Sequence, residues 1–273
     1  MEEITTSGIV IREKMQGESD KLITILTGEH GKITVLAKGV KNITNKNAAA
    51  CQLFVYSDYE FVTKGTRRIL KTALSKDVFF GMRCDAERFA LVSYFADVLN
   101  HVTMENNDEI ETLRLFLNVI YALSYKQDIP LWLIKGAFEL RLMGVLGFMP
   151  DFSFCTSCGC ETEFGNSAVF GFEQGGIVCE KCCESSKKAL GYIPYSCNVS
   201  AGVISAMNYI CSCDIKKLLS LKTDVSISGE FAFICENYLL HKTERTFETL
   251  KIYKSIVNSL NLNIKTEKNE EQK

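Results

Sequence analysis

Four cysteines in two matching pairs place a geometric demand on this chain. Cys155-x-x-Cys158 and Cys179-x-x-Cys182 share one spacing and are separated by the twenty residues Gly159 to Val178. A two-residue gap lets both thiolates of a pair turn toward one centre. Two such knuckles supply four sulfurs for a tetrahedral site, with zinc-to-sulfur distances near ~2.3 Å. Gly159 follows the first pair and Gly175-Gly176 precede the second, where the backbone must fold tightly around the ligands. The expectation is one structural zinc on Cys155, Cys158, Cys179 and Cys182.

Other uses of the thiols fit less well. The chain has 273 residues, 47% of them hydrophobic, enough to bury a core without covalent staples. It opens on "MEEITTSGIV", acidic and then polar, and no apolar run reaches the ~18 residues of a membrane span. A soluble cytoplasmic protein is expected, in which clustered thiols stay reduced and bind metal. A hydrolytic zinc needs an open coordination position and favours His or carboxylate ligands, whereas His30, His101 and His241 lie far from the cluster in sequence. The deaminase signature H-x-E followed by P-C-x-x-C is absent. A redox Cys-x-x-Cys stands as a single pair in a strand–helix unit. Cys160 and Cys183 sit beside ligand candidates, so either could replace a neighbour. Cys51, Cys84, Cys197, Cys211, Cys213 and Cys235 are scattered and read as small buried apolar residues.

Ahead of the cysteines the hydrophobic period changes. "SGIVIRE", "KLITILT", "KITVLAK", "FVYSDYEFVT" and "RRILKTALS" are short, rich in β-branched and aromatic residues, and bounded by turn signals. Five such strands predict a small antiparallel barrel over residues 1–80, of which an OB-fold is one form. After Gly81 the apolar residues recur at helical spacing: Phe89, Val92, Phe95, Leu99 and Val102, then Leu113, Phe116, Leu117, Ile120 and Leu123. Pro130 opens a third helix. Helical patterns return in "SAGVISAMNYICSC", "DIKKLLSL", "GEFAFICENYLLHKT" and "TFETLKIYKSIVNSL". The fold class is therefore α+β and multidomain: barrel 1–80, helical domain 81–150 and 185–262, four-cysteine insertion 151–184 and a charged, disordered tail 263–273.

Charge is polarised between these parts. Residues 1–80 hold 12 Lys+Arg against 9 Asp+Glu, a net of +3, while the remainder holds 19 against 24, a net of −5. Lys32, Lys38, Lys41, Lys46, Lys64, Arg67, Arg68 and Lys71 face only Asp58 and Glu60 across one stretch of the barrel. Such a face tracks phosphates, although isolated lysines also serve solubility alone. Phe54, Tyr56, Tyr59 and Phe61 interleave with it, Tyr56 facing opposite to Tyr59 and Phe61 on a strand. "GKITVLAKGVK" lacks the G-x-x-x-x-G-K-[ST] spacing of a phosphate loop, and no nucleophile or His-x-x-x-His motif accompanies the cysteines. No enzymatic activity is expected.

The run "GIVIREKMQGESDKLITILTGEHGKITVLAKGVKN", the helix exit "ELRLMGVLGFMPDFSFCTSCG" and "GGIVCEKC" together resemble the RecO family of bacterial recombination mediators, in order and over essentially the whole chain. Glu18-Ser19-Asp20, Glu29-His30-Gly31 and Lys38-Gly39 are similar to that family's N-terminal pattern, and the paired cysteines to its zinc module. The resemblance implies an OB-fold head, a helical C-terminal domain with a zinc finger, and no catalytic site. It further implies binding of single- and double-stranded DNA, strand annealing, pairing with RecR, contact with the C-terminal tail of single-strand DNA-binding protein (SSB), and help in loading RecA. DNA contact carries onto Lys38 and Lys41 in "AKGVK", with Lys32, Arg67, Arg68 and Lys71 as neighbours and Lys46 in the same loop. Two other classes remain: a zinc-ribbon protein acting on RNA or in transcription, and a metal- or thiol-dependent enzyme.

Overall fold

A computed structural model of the chain describes residues 2–65, 67–161, 167–190 and 195–270. The five expected strands form as β1 (Glu2–Gln16), β2 (Asp20–Thr27), β3 (Lys32–Ala37), β4 (Tyr56–Lys64) and β5 (Arg67–Asp77). They close into a barrel in the order β1-β2-β3-β5-β4, all pairs antiparallel except β3 with β5, where Val35 and Leu36 face Arg68 and Ile69. Alternation builds the interior. Along β4, Ser57, Tyr59 and Phe61 turn inward, and Tyr59 and Phe61 join Val10, Ile23, Ile25, Ile33, Val35 and Leu70 in one core. Each Ile or Val so buried contributes about 1.5–3 kcal/mol.

The β2–β3 turn is stapled to the helices that follow the barrel. Gly31 adopts φ +63°, and a Cβ there would lie 2.2 Å from the Met104 carbonyl oxygen, so only glycine fits. The Lys32 amide donates to that same carbonyl at 2.9 Å, and the Glu109 amide to the Gly28 carbonyl at 2.7 Å. The helices are α1 (Phe80–Arg83), α2 (Ala86–Val102) and α3 (Ile110–Tyr125). Asp85 starts α2 by accepting from the Glu87 and Arg88 amides at 2.9 and 3.1 Å.

The second part runs through α4 (Leu131–Val145), β6 (Ser167–Gly171), β7 (Gly176–Val178), α5 (Glu180–Leu190), β8 (Ser196–Ser200), α6 (Ala201–Ser212) and α7 (Ser228–Thr243). Helix α4 is buried on nearly every side from Leu133 to Leu140 and packs against α7. Strands β7, β6 and β8 form one sheet in that order, which extends the cysteine segment beyond residue 184 to Ser200. "DIKKLLSL" makes only a 3-10 turn at Ile215–Lys217, capped by the Asp214 carboxylate; eight residues are too few to offset the cost of helix nucleation.

The last helix, α8 (Glu248–Glu270), returns to the first part and lies along α2. Thr249 donates its hydroxyl to Asp97 at 2.9 Å, and Phe247 meets Tyr94 and His101 edge-on at ring distances of 6.0 Å. The compact units are thus residues 1–127 with 247–273, and residues 128–246, cut differently from the segments expected above. Over the charged tail expected at 263–273, helical backbone continues through residue 270, and residues 271–273 lie outside the described ones.

Candidate metal centre and nucleic-acid interface

The first knuckle is built on the loop that follows α4. The Cys155 amide donates to the Cys160 carbonyl at 2.7 Å and the Gly159 amide to the Cys155 carbonyl at 2.8 Å, with Gly159 at φ +71° closing the turn. The second knuckle begins where β7 passes into α5, so that Cys179 ends the strand segment and Cys182 lies on the first helical turn. Strand pairing of Phe170 with Ile177 sets this position, and the Thr156 amide, donating to the Ile177 carbonyl at 2.9 Å, ties the two knuckles together.

The sulfurs of Cys155, Cys158, Cys160 and Cys179 all lie within 4.8 Å of one another. Four sulfurs around a tetrahedral zinc stand about 3.8 Å apart, and Cys158 lies 3.3 Å from Cys160 and 3.7 Å from Cys179. Cys182, expected as the fourth ligand, is not in that group but packs beside it against Cys155, Val178 and Cys183. The structure thus brings Cys160 rather than Cys182 into the set of four with Cys155, Cys158 and Cys179, and leaves Cys182 as the neighbouring thiol. The donor set fits a soft, closed tetrahedral ion and is consistent with a zinc site.

Backbone polarity favours thiolates here. Burial raises the Cys155 thiol pKa, but the amides of Cys179, Cys158 and Ser157 outweigh it and bring the thiol to about 6. The Cys160 amide and thiol hold Cys158 below its ordinary value. Cys160 is pushed up to about 12 by the sulfurs of Cys158 and Cys179, and Cys182 is also raised, by Cys158 first. A bound divalent cation would deprotonate its coordinating thiols outright. Cys183 is buried, and its sulfur donates to the Val178 carbonyl at 3.5 Å. Among the scattered cysteines Cys51 and Cys235 are fully buried and Cys197, Cys211 and Cys213 half-buried; Cys84 is exposed, contrary to expectation.

The barrel sorts the candidate cations into two groups. Lys38, Lys41, Lys46, Lys64 and Arg67 are exposed and form no ion pair among the described residues. Lys71 is exposed but held by both Glu3 and Glu60, which raise its pKa, and Arg68 bonds Glu105 at 2.5 Å. Lys32 is half-buried and donates to the Asn100 carbonyl in the last turn of α2; burial lowers its pKa. Phe54, Tyr59 and Phe61 are core residues. Tyr56 is half-exposed, with the Lys76 ammonium 5.3 Å above its ring.

Two family models, described as Recombination protein O N terminal and Recombination protein O C terminal, match residues 1–76 and 83–251. A DNA repair protein RecO from Acetivibrio thermocellus is 34% identical over 94% of this chain and 98% of its own length. The chain belongs to the RecO family. RecO proteins of Alkaliphilus metalliredigens and Symbiobacterium thermophilum are each 27% identical, over 93% and 89% of this chain and 99% and 93% of theirs. Membership of the RecO family gives the chain a role in DNA repair. Among the described residues no helix is long and apolar enough to cross a membrane. In this RecO chain, sequence reasoning weighed Cys160 only as a substitute ligand. The Cys158-x-Cys160 spacing was the available signal, but the thiol's place is set by the Cys155–Cys160 backbone bond.

Proposed function

We propose that this chain is a non-catalytic recombination mediator. It binds single- and double-stranded DNA through one end of its barrel, anneals complementary strands, and with RecR helps RecA load on SSB-coated DNA by contacting the SSB C-terminal tail. It works in the cytoplasm at the nucleoid. The observation that carries the DNA-binding part is the group of exposed lysines, Lys38, Lys41 and Lys46, on the β3–β4 connection, none of them in an ion pair among the described residues. Such cations release counterions from phosphate without reading bases, which suits an annealing protein that must act on any sequence.

In the same reading the cysteine centre holds one zinc with a structural role. The knuckles are separate loops that a closed ion would lock into one body. Annealing of complementary oligonucleotides, bare and coated with the cognate SSB, tests the mediator reading. Acceleration on both substrates is expected, with no ATP hydrolysis. Binding of structured RNA in preference to single-stranded DNA, or absence of annealing, would overturn it.

A further inference from the structure

Ile43 is 92% exposed, the most exposed large apolar residue among those described. Single exposed apolar side chains are common on protein surfaces, but the backbone around Ile43 is pinned. The Asn45 amide donates to the Asn42 carbonyl at 3.0 Å, closing a turn with Ile43 at its second position. Inside that turn the Asn42 side chain accepts from the amide and hydroxyl of Thr44 at 3.1 and 2.9 Å, and Asn45 donates to the Lys38 carbonyl at 3.2 Å. The loop is also tied to the β1–β2 hairpin, the Lys41 amide to the Ser19 carbonyl at 3.0 Å and the Gly39 amide to the Asp20 carboxylate at 2.8 Å. Ile43 cannot turn inward without breaking this network. Turn corners favour Gly, Pro, Asn, Asp or Ser, so an isoleucine there has no local structural use.

The chemistry around it is cationic. Lys38, Lys41 and Lys46 flank Ile43 in sequence, and the joined hairpin adds Lys14 together with Met15, itself 57% exposed; the acids of the hairpin are Glu13, paired with Lys21 at 2.9 Å, and Glu18 and Asp20 at its tip. Asp20 is occupied by the Gly39 amide, which lowers its pKa. We infer that Ile43 is an apolar wedge that inserts against or between the bases of a nucleic acid strand whose phosphates are held by the neighbouring lysines. This rests on the DNA-binding reading above and deepens it. An aliphatic side chain on a rigid support, flanked by cations, is the arrangement by which proteins unstack a base step. Unstacking would leave bases splayed for pairing with a complementary strand. A membrane surface fits less well, because one isoleucine and one methionine bury too little apolar area for stable anchoring.

The test uses the full chain with a 2-aminopurine-labelled single strand, whose emission rises when the labelled base unstacks. Wild type should bind and raise the emission. Ile43→Ser should bind about three- to ten-fold more weakly with the salt dependence unchanged, since the lysines remain, and should fail to raise the emission. Ile43→Leu should restore the rise. Equal emission from wild type and Ile43→Ser, with binding intact, overturns the wedge and leaves the DNA reading standing. No binding by wild type overturns both. Ile43-dependent capture by phosphatidylglycerol vesicles, with emission indifferent to the substitution, overturns the wedge in favour of a lipid surface.

Discussion

Cys158 Sγ lies 3.7 Å from Cys179 Sγ, although the two residues are 21 positions apart. The contact joins the two knuckles, and both residues belong to the close set of four sulfurs. Cys158→Ser or Cys179→Ser should therefore release the metal and lower the melting temperature of the cysteine segment. Metal analysis of the purified chain should find about one zinc in wild type and well under half in either variant. Full retention by both variants would remove the four-thiolate assignment.

Cys160 and Cys182 make the opposite prediction, because Cys160 completes the close set of four while Cys182, with the second knuckle's spacing, packs beside it and can take the same place. Cys160→Ser and Cys182→Ser should each keep most of the metal, whereas the double variant should lose it. Cobalt substitution reports the difference, since tetrahedral thiolate coordination gives visible bands that scale with the number of sulfurs. Loss of metal in Cys182→Ser alone would make Cys160 a bystander.

The barrel was legible because β-branched residues alternate over five runs, and α2 and α3 because their apolar residues recur at 3.6. The small sheet around the cysteines was not. Strands β6 and β7 are five and three residues long, too short to show a period, and β8 pairs with β6 only across α5. The return of α8 to α2 is a long-range packing choice that no local pattern carries. Arg68 and Lys71 illustrate the limit for the site. Their type and spacing were visible, but Lys71 reaches Glu3, 68 residues away, and Arg68 reaches Glu105.

Those pairings divide the cations experimentally. Lys38→Ala with Lys41→Ala should weaken single-stranded DNA binding on every sequence and flatten its salt dependence by roughly 0.7 in log–log slope per lost contact. Lys71→Ala should leave the slope unchanged, because Glu3 and Glu60 already neutralise that ammonium. Titrations at several salt concentrations decide it. A wild-type slope in the Lys38/Lys41 double variant would move the interface elsewhere, beginning with the exposed Lys181, Lys187 and Lys188 on α5.

Stability of the second unit should depend on one buried cation. Lys135 on α4 bonds Glu139 at 2.6 Å and Glu236 of α7 at 2.9 Å, with the lysine side chain 5% exposed. Burial alone would lower the lysine pKa, but the two carboxylates outweigh it and raise it. A raised folded-state pKa means the stabilisation is fully present below the unfolded lysine value and is lost as pH climbs through the folded one, so the unit should weaken only in strongly alkaline solution. Lys135→Met keeps the aliphatic stem but leaves two buried carboxylates facing each other, which should cost about 3–5 kcal/mol. Adding Glu139→Gln and Glu236→Gln should recover much of that loss, since the desolvation penalty leaves with the charges. Denaturant melts of the three chains measure it, and a Lys135→Met variant as stable as wild type would show that the ion triad holds α4 to α7 no better than apolar packing does.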